Sequence, residues 1–361
     1  MAPSQFAQVL LEWYSRHGRD LPWRQTRDPY AIWLSEIILQ QTRISQGTAY
    51  WERFMSEYPT VEALASASED EVLKLWQGLG YYSRARNLHH AAKQLVHLGY
   101  FPKSLDEIRK LKGVGEYTAA AIAAFAFDNP VAAVDGNFYR VLARVFGIDT
   151  PINSTAGKKL FKALAEQVVT HPEVNAAIMD FGAMQCTPQN PDCVSCPIVD
   201  QCDAVRQGRV DELPVKLKTV KVKTRRMTYV YIRYNGQTAI RQRGKGDIWQ
   251  GLWEPYLYAD VMTANGDDDK KRKCLSKEKV FSISSMGFNS AWNPIALSVK
   301  HVLTHRIILS DFYLWEPERR PVLPAEYVWI DEQNLDNYAI SRLFQLLLER
   351  LSIRDSATDA S

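Results

Sequence analysis

Apolar residues recur at three- and four-residue spacing through the first two hundred positions, in Phe6–Trp13, Trp33–Leu39, Val61–Trp76, Ile108–Leu111 and Phe161–Val169. Such spacing gathers side chains on one face of an α-helix, so the first half is predicted to be helical with almost no strand. Two helix starts are marked: Ser68 before Glu69, Asp70 and Glu71, and Ser104 with Glu107 three residues later, where side chain and backbone can cap each other. Asn137–Val145 reads as a further helix. Past the middle of the chain the texture becomes β-prone. Tyr229–Tyr234 and Thr238–Arg243 flank Asn235-Gly236, a strong hairpin signal. Leu297–Leu303, Ile307–Trp315 and Tyr327–Ile330 are further strand candidates, and Ile340–Leu351 reads as a closing helix. The pattern divides the chain into an all-α domain over 1–207 and an α+β domain over 228–351. A linker over 208–227 joins them, and a tail over 352–361 is expected to be disordered.

Composition narrows the classes. With 361 residues, 46% of them hydrophobic and 24% charged, the chain is long enough for two cores and too apolar for global disorder. Its longest apolar run, Ala119–Phe127, stops at Asp128, about half of the roughly 20 residues that span a bilayer. Glu12, Arg16, Arg19 and Asp20 interrupt any secretory leader, so a reducing, cytoplasmic setting is expected. The net charge of +3 is unevenly spread: residues 1–207 hold 20 Lys+Arg against 22 Asp+Glu. The excess of cations concentrates in Lys216, Lys218, Lys221, Lys223, Arg225 and Arg226, a run without an acid. It reads either as a solvated linker or as a contact for a polyanion, whose displaced counterions would make binding salt-dependent. Asn265–Lys273, an acidic run against a basic one, is expected to be a mobile loop.

Four of the five cysteines, Cys186, Cys193, Cys196 and Cys202, fall within seventeen residues, while Cys274 stands apart. In a reducing compartment four such thiols point to a metal centre rather than disulfides. Soft sulfur donors suit zinc or an iron–sulfur cluster. Zinc sites usually pair two short knuckles, and only one short spacing is present, which favours a [4Fe–4S] cluster.

Leu111-Lys-Gly-Val-Gly-Glu-Tyr-Thr-Ala119 is the most specific local motif outside the cysteines. Gly113 and Gly115 allow the positive φ angles of a tight turn, and an Ala-rich helix follows whose first N–H groups can hold an anion. The motif matches a helix-hairpin-helix, which grips a DNA strand through its phosphates. Asp135 follows twenty residues after Gly115 and, taken alone, reads as an N-cap. Glu36 borders the apolar arc of Trp33, Ile37 and Ile44. It could be a surface acid paired with Arg43, or an acid whose pKa burial raises toward neutrality for general acid work. Gln41 falls inside that arc, where an amide needs a partner or a binding role.

Together with Leu21-Pro-Trp-Arg24, Ser35-Glu-Ile-Ile-Leu-Gln-Gln-Thr42, Gly78-Leu-Gly-Tyr-Tyr-Ser-Arg-Ala85, Val134-Asp-Gly-Asn137 and Met179-Asp-Phe-Gly-Ala183, these features resemble MutY-type adenine DNA glycosylases of the helix-hairpin-helix superfamily. The resemblance implies a base-excision-repair enzyme that flips adenine out of duplex DNA when it is mispaired with 8-oxoguanine or G, and hydrolyses its glycosidic bond. It assigns Glu36 to protonating the adenine and Asp135 to stabilising the sugar cation, with Tyr117 and Asn137 in support. Trp23, Arg24, Leu39 and Asp180 match pocket positions, and Gln41 and Tyr81 match residues inserted into the base stack. Gly113 and Gly115 belong to the DNA-gripping hairpin, and the four cysteines to the [4Fe–4S] cluster.

Related endonuclease III-like enzymes carry a lysine where Tyr117 stands. A phenol forms no Schiff base, so a monofunctional glycosylase is expected. The second domain resembles a Nudix-like module through Gln250-Gly-Leu-Trp-Glu254, and lacks the glutamates a Nudix hydrolase needs. Its lesion-reading loop would be Leu303-Thr304-His305, with Thr304 and His305 facing 8-oxoguanine. The implied partner is duplex DNA, bound by a monomer, with no membrane; in a bacterium the protein would associate with the nucleoid. The alternatives are an endonuclease III-like pyrimidine-lesion glycosylase and a non-catalytic iron–sulfur DNA-binding protein.

Overall fold

The computed structural model describes residues 1–217, 222–263 and 292–358. Asn265–Lys273 and Cys274 lie outside them. The chain divides into two compact units, Met1–Ser66 with Asn87–Lys218, and Ala67–Arg86 with Thr219–Ser361.

In chain order the helices are α1 Pro3–His17, α2 Pro29–Ile38, α3 Ile44–Glu57, α4 Val61–Ser66, α5 Glu69–Trp76, α6 Ser83–Leu98, α7 Leu105–Ile108, α8 Glu116–Phe127, α9 Gly136–Val145, α10 Thr155–Val168, α11 Glu173–Met184 and α12 Asp203–Arg206. The expected helical half is present. The single apolar run over Val61–Trp76 is two helices, because Ser68 accepts from the Glu71 N–H at 3.2 Å while Glu71 bonds back to the Ser68 N–H, starting α5 afresh. In the first unit Phe6, Leu10, Phe138, Leu142, Phe161 and Phe181 are among the buried residues that hold α1, α9, α10 and α11 together. α2 is buried from Tyr30 to Ile38 and packs on α8, whose alanines from Ala119 to Ala124 let the backbones approach. Glu36 on α2 and Asp180 on α11 are thus acids on helices with almost no solvent-facing side.

The second unit holds a mixed six-stranded sheet of β1 Lys223–Tyr234, β2 Gln237–Gln242, β3 Trp253–Thr263, β4 Asn293–Leu303, β5 Arg306–Trp315 and β6 Tyr327–Asp331, ordered β4-β5-β1-β3-β2-β6. β1 runs parallel to β5, and the other pairings are antiparallel. α13, Arg342–Thr358, lays Leu343, Phe344, Leu347 and Leu351 on Tyr229, Tyr231 and Phe312. The hairpin at Asn235-Gly236 and the strands β4, β5 and β6 follow the predicted pattern. β3 was not foreseen, since Glu254 and Pro255 break its alternation. Glu254 is nevertheless buried there, accepting from Tyr229 Oη at 2.9 Å and Arg241 Nε at 3.0 Å, and paired with Arg243.

Two expectations at the margins change. Residues 352–358 continue α13 instead of forming a disordered tail, the helix being anchored by the pairing of Arg233 with Asp355 at 2.9 Å. The stretch 208–227 is not a plain basic linker. Leu213 is buried in the first unit, Ile152 donates to the Val215 carbonyl at 3.0 Å, and β1 already begins at Lys223. Arg225 within it is buried between Asp247 and Asp260, so its charge is neutralised inside the fold. Lys218 and Lys221 lie outside the described residues. Among the described residues no helix is long and apolar enough to cross a membrane.

Candidate active site

A cavity of about 450 Å³ in the first unit collects Trp23, Arg24, Glu36, Leu39, Tyr117, Asp135 and Asn137, seven of the residues singled out from sequence. Each arrives for a local reason. Pro22 opens the one-turn helix that carries Trp23 and Arg24. α2 brings Glu36 to the cavity as part of a helix whose other residues are core, leaving the residue only 8% exposed. Tyr117 stands in the first turn of α8, just past the helix-hairpin-helix turn. Asp135 is the N-cap of α9: its carboxylate accepts from the Phe138 N–H at 2.9 Å and from Asn137 Nδ2 at 2.6 Å. The capping role and the place on the cavity wall coexist. Gly182 of α11 lets Asn137 approach, since a Cβ there would come within 2.6 Å of the Asn137 Cβ.

Electrostatics separates the two carboxylates from ordinary ones. Burial drives the Glu36 pKa up to about 7, opposed by a hydrogen bond with the Tyr117 hydroxyl and reinforced by the charge of Asp135. Asp135 is also raised, by burial, against the bonds from Phe138 and Asn137. Burial and the neighbouring Glu36 push Tyr117 well above the ordinary tyrosine value, so it stays a neutral donor. Arg43 does not neutralise Glu36: it is the exposed N-cap of α3, and the cation acting on Glu36 is Arg24.

Asp180 lies behind the cavity wall. It is fully buried and receives Arg24 Nη1 and Nη2 at 2.7 and 2.8 Å and Arg19 Nε at 2.9 Å, with the Arg19 N–H at 2.8 Å. Burial raises its pKa, and the arginine hydrogen bonds more than reverse that, leaving the carboxyl lowered. Asp180 therefore orients Arg24 and Arg19 toward the cavity. Arg19, Tyr14, His171 and Glu173 line it as well and were not foreseen. A signal for Arg19 existed: an acid in the middle of apolar α11 demands cations, and Arg24 alone is one short of the two that Asp180 gathers.

The remaining site residues stand elsewhere. Gln41 is beyond the end of α2, exposed, with φ of +57°, so the helical angle that made it look buried does not apply. Gly113 has φ of +77° and packs so tightly that a Cβ would meet the Asn87 Cβ at 2.6 Å. Gly115 departs from expectation: its φ is −87°, and a Cβ there would meet open space. In the second unit Tyr81, half exposed with φ of +47°, places its hydroxyl 2.5 Å from Thr304 Oγ1, and His305 is the next residue of the same turn.

Cys186, Cys193, Cys196 and Cys202 all line a second cavity, of about 20 Å³. Arg144 Nη1 donates to Cys186 Sγ at 3.4 Å, and the Cys202 thiol points at the Arg144 carbonyl at 3.4 Å. Burial pushes the Cys196 thiol up to about 12, and the neighbouring sulfurs act in the same direction. Among the described residues no three His, Cys, Asp or Glu side chains are set to hold a single metal ion. Four soft donors around one cavity beside a buried arginine fit a sulfur-bound cluster.

Residues 34–168 match the model of HhH-GPD superfamily base excision DNA repair proteins, and residues 228–350 match the NUDIX domain. An adenine DNA glycosylase of Buchnera aphidicola subsp. Baizongia pistaciae is 36% identical over 69% of this chain and 72% of its own. The chain belongs to the adenine DNA glycosylase family. Another family member, from Buchnera aphidicola subsp. Schizaphis graminum, is 29% identical over 95% of this chain and 98% of its own. The rat adenine DNA glycosylase is 44% identical over 58% of this chain, which spans 44% of that longer relative. Among solved structures, a thermostable thymine-DNA glycosylase aligns at a TM-score of 0.53 and 32% identity, covering 57% of this chain and 97% of its own. A trapped endonuclease III–DNA covalent intermediate aligns at 0.51 and 21% identity over 58% of this chain and 99% of its own, a likeness of fold.

Proposed function

We propose that this protein removes adenine paired with 8-oxoguanine or G from duplex DNA, acting as a monomer and without cutting the strand. The observation that carries the reading is the Glu36 carboxyl, raised to about 7 in a cavity that also holds Asp135 and hydrogen-bonded to Tyr117. A group with that pKa is substantially protonated at neutral pH, as a general acid must be. Adenine enters the cavity flipped from the stack, with Trp23, Arg24 and Leu39 on its walls. Glu36 gives its proton to N7 of the base, and the C1′–N9 bond breaks with its electron pair passing to the adenine. The sugar is left as an oxocarbenium ion, which the Asp135 carboxylate, steadied by Asn137, stabilises until water adds at C1′ and gives up a proton to the Glu36 carboxylate left by the first step. The phenol of Tyr117 hydrogen-bonds Glu36 and offers no amine to the sugar.

Cys186, Cys193, Cys196 and Cys202 would hold a [4Fe–4S] cluster, which when bound supplies iron–thiolate bonds that cross-link the 186–202 loop. DNA is gripped by the hairpin around Gly113 and Gly115, Gln41 and Tyr81 enter the base stack, and Thr304 and His305 face the base opposite the adenine. Incubation with a duplex carrying one A opposite 8-oxoguanine, followed by alkali, tests the reading. Cleavage at the adenine only after alkali is expected. Cleavage without alkali, or tight binding with no cleavage at all, overturns it.

A further inference from the structure

The loop between β2 and β3 carries Asp247, whose carboxylate gathers arginines from three places in the sheet. Arg225 of β1 donates to it at 2.6 and 2.5 Å, Arg243 just after β2 at 2.6 Å, and Arg306 at the start of β5 at 3.3 Å. The N–H of Ile248 adds a bond at 2.7 Å. Arg225 has a second partner in Asp260 and Arg243 a second in Glu254. Those two buried cations need Asp247 only in part, so their neutralisation does not by itself account for a bond reaching Arg306.

Arg306 is the residue that leaves the two-residue turn Thr304-His305, facing Leu303 across the β4–β5 ladder. The turn is exposed and is held at its base by the bond from the Lys223 N–H to the His305 carbonyl at 3.1 Å. The ion pair from Asp247 to Arg306 is a side-chain tie at that base, fixed in turn by Arg225 and Arg243 within the sheet. We propose that Asp247 is a positioning residue for this turn: through Arg306 it sets where Thr304 and His305 stand, and thereby how well 8-oxoguanine is distinguished from guanine opposite the adenine. The inference rests on the reading that Thr304 and His305 face that base. Guanine and its 8-oxo form differ by one oxygen and one N–H, and a displacement of about 1 Å in a positioned group costs on the order of 100-fold, so a stiff turn matters.

The competing role is a direct phosphate contact by Arg306. The full-length chain carrying Asp247→Asn, Arg306→Gln or both separates the two, read as the ratio of single-turnover excision rates for A opposite 8-oxoguanine and A opposite G. Each single variant is expected to shrink the ratio several-fold, the double variant no further than the worse single, and Arg306→Lys to restore part of it. Arg306→Gln leaves every other pair of the network intact and serves if Asp247→Asn does not fold. A full ratio in Arg306→Gln, with Thr304→Ala and His305→Ala reducing it, overturns the positioning role alone. A salt dependence of binding that drops by about 0.9 in slope in Arg306→Gln, with Asp247→Asn normal in its ratio, assigns Arg306 to phosphate and likewise overturns it. If Thr304→Ala and His305→Ala both keep the full ratio, the reading of the turn itself fails, and this inference with it.

Discussion

A carboxyl placed on a fully buried helix costs stability and gains a proton near neutral pH. Glu36 ordinarily titrates at 4.5 and in the folded chain at about 7. The folded state therefore holds the proton through a window in which the unfolded chain has lost it, and stability falls as pH rises from 4.5 to about 7. Glu36→Gln is expected to be more stable than the parent at pH 8, on the order of 3 kcal/mol, with the gain shrinking toward pH 5; paired denaturant titrations check it. The same variant should bind the A opposite 8-oxoguanine duplex but release adenine about 10²- to 10⁴-fold more slowly. In the parent the excision rate should decline as pH passes above 7. An unchanged pH limb in Glu36→Gln would remove the general acid. Sequence alone left Glu36 open between this role and a pair with Arg43, because a helical wheel gives angle and not depth.

At the scale of elements, the helix-hairpin-helix turn separates two glycines that look alike in sequence. Gly113 holds a left-handed φ and faces Asn87, whereas Gly115 has an ordinary φ and open space. Gly113→Ala should cost about 1–3 kcal/mol and weaken duplex binding, while Gly115→Ala should stay within about 0.5 kcal/mol. Thermal unfolding and duplex titration of the two variants measure the difference. Equal losses would mean that the turn adjusts. Most helices and five of the six strands were legible as periodicity, since one face of each is buried. β3 was not, because its acid is satisfied by Tyr229, Arg241 and Arg243 drawn from other parts of the sheet. Gln41 looks buried in the sequence for a similar reason: the apolar period continues past Ile38, where the helix ends.

For the whole molecule, the excess positive charge lies in the basic stretch after Pro214. Arg225 is committed to Asp247 and Asp260, which leaves the lysines and the exposed Arg226 as the candidates for phosphate. Neutralising Lys216, Lys218, Lys221 and Lys223 together is expected to flatten the salt dependence of duplex binding by about 0.9 for each phosphate no longer neutralised, while Arg225→Gln should destabilise the fold instead. A slope unchanged in the lysine variant would leave the stretch without a phosphate role. The order of motifs, the two-part architecture and the family were determined by the sequence, which also marked Glu36, Asp135 and the four cysteines as candidates, because spacing along a chain survives folding. Tertiary structure decided which of those residues share a cavity and which only support it. It put Asp180 behind Arg24 and Arg19, and it made Asp135 a cap and a wall residue at once. It also carried the Glu36 pKa to about 7. Burial and the distance between charges depend on elements far apart in sequence packing together, and no local pattern contains them.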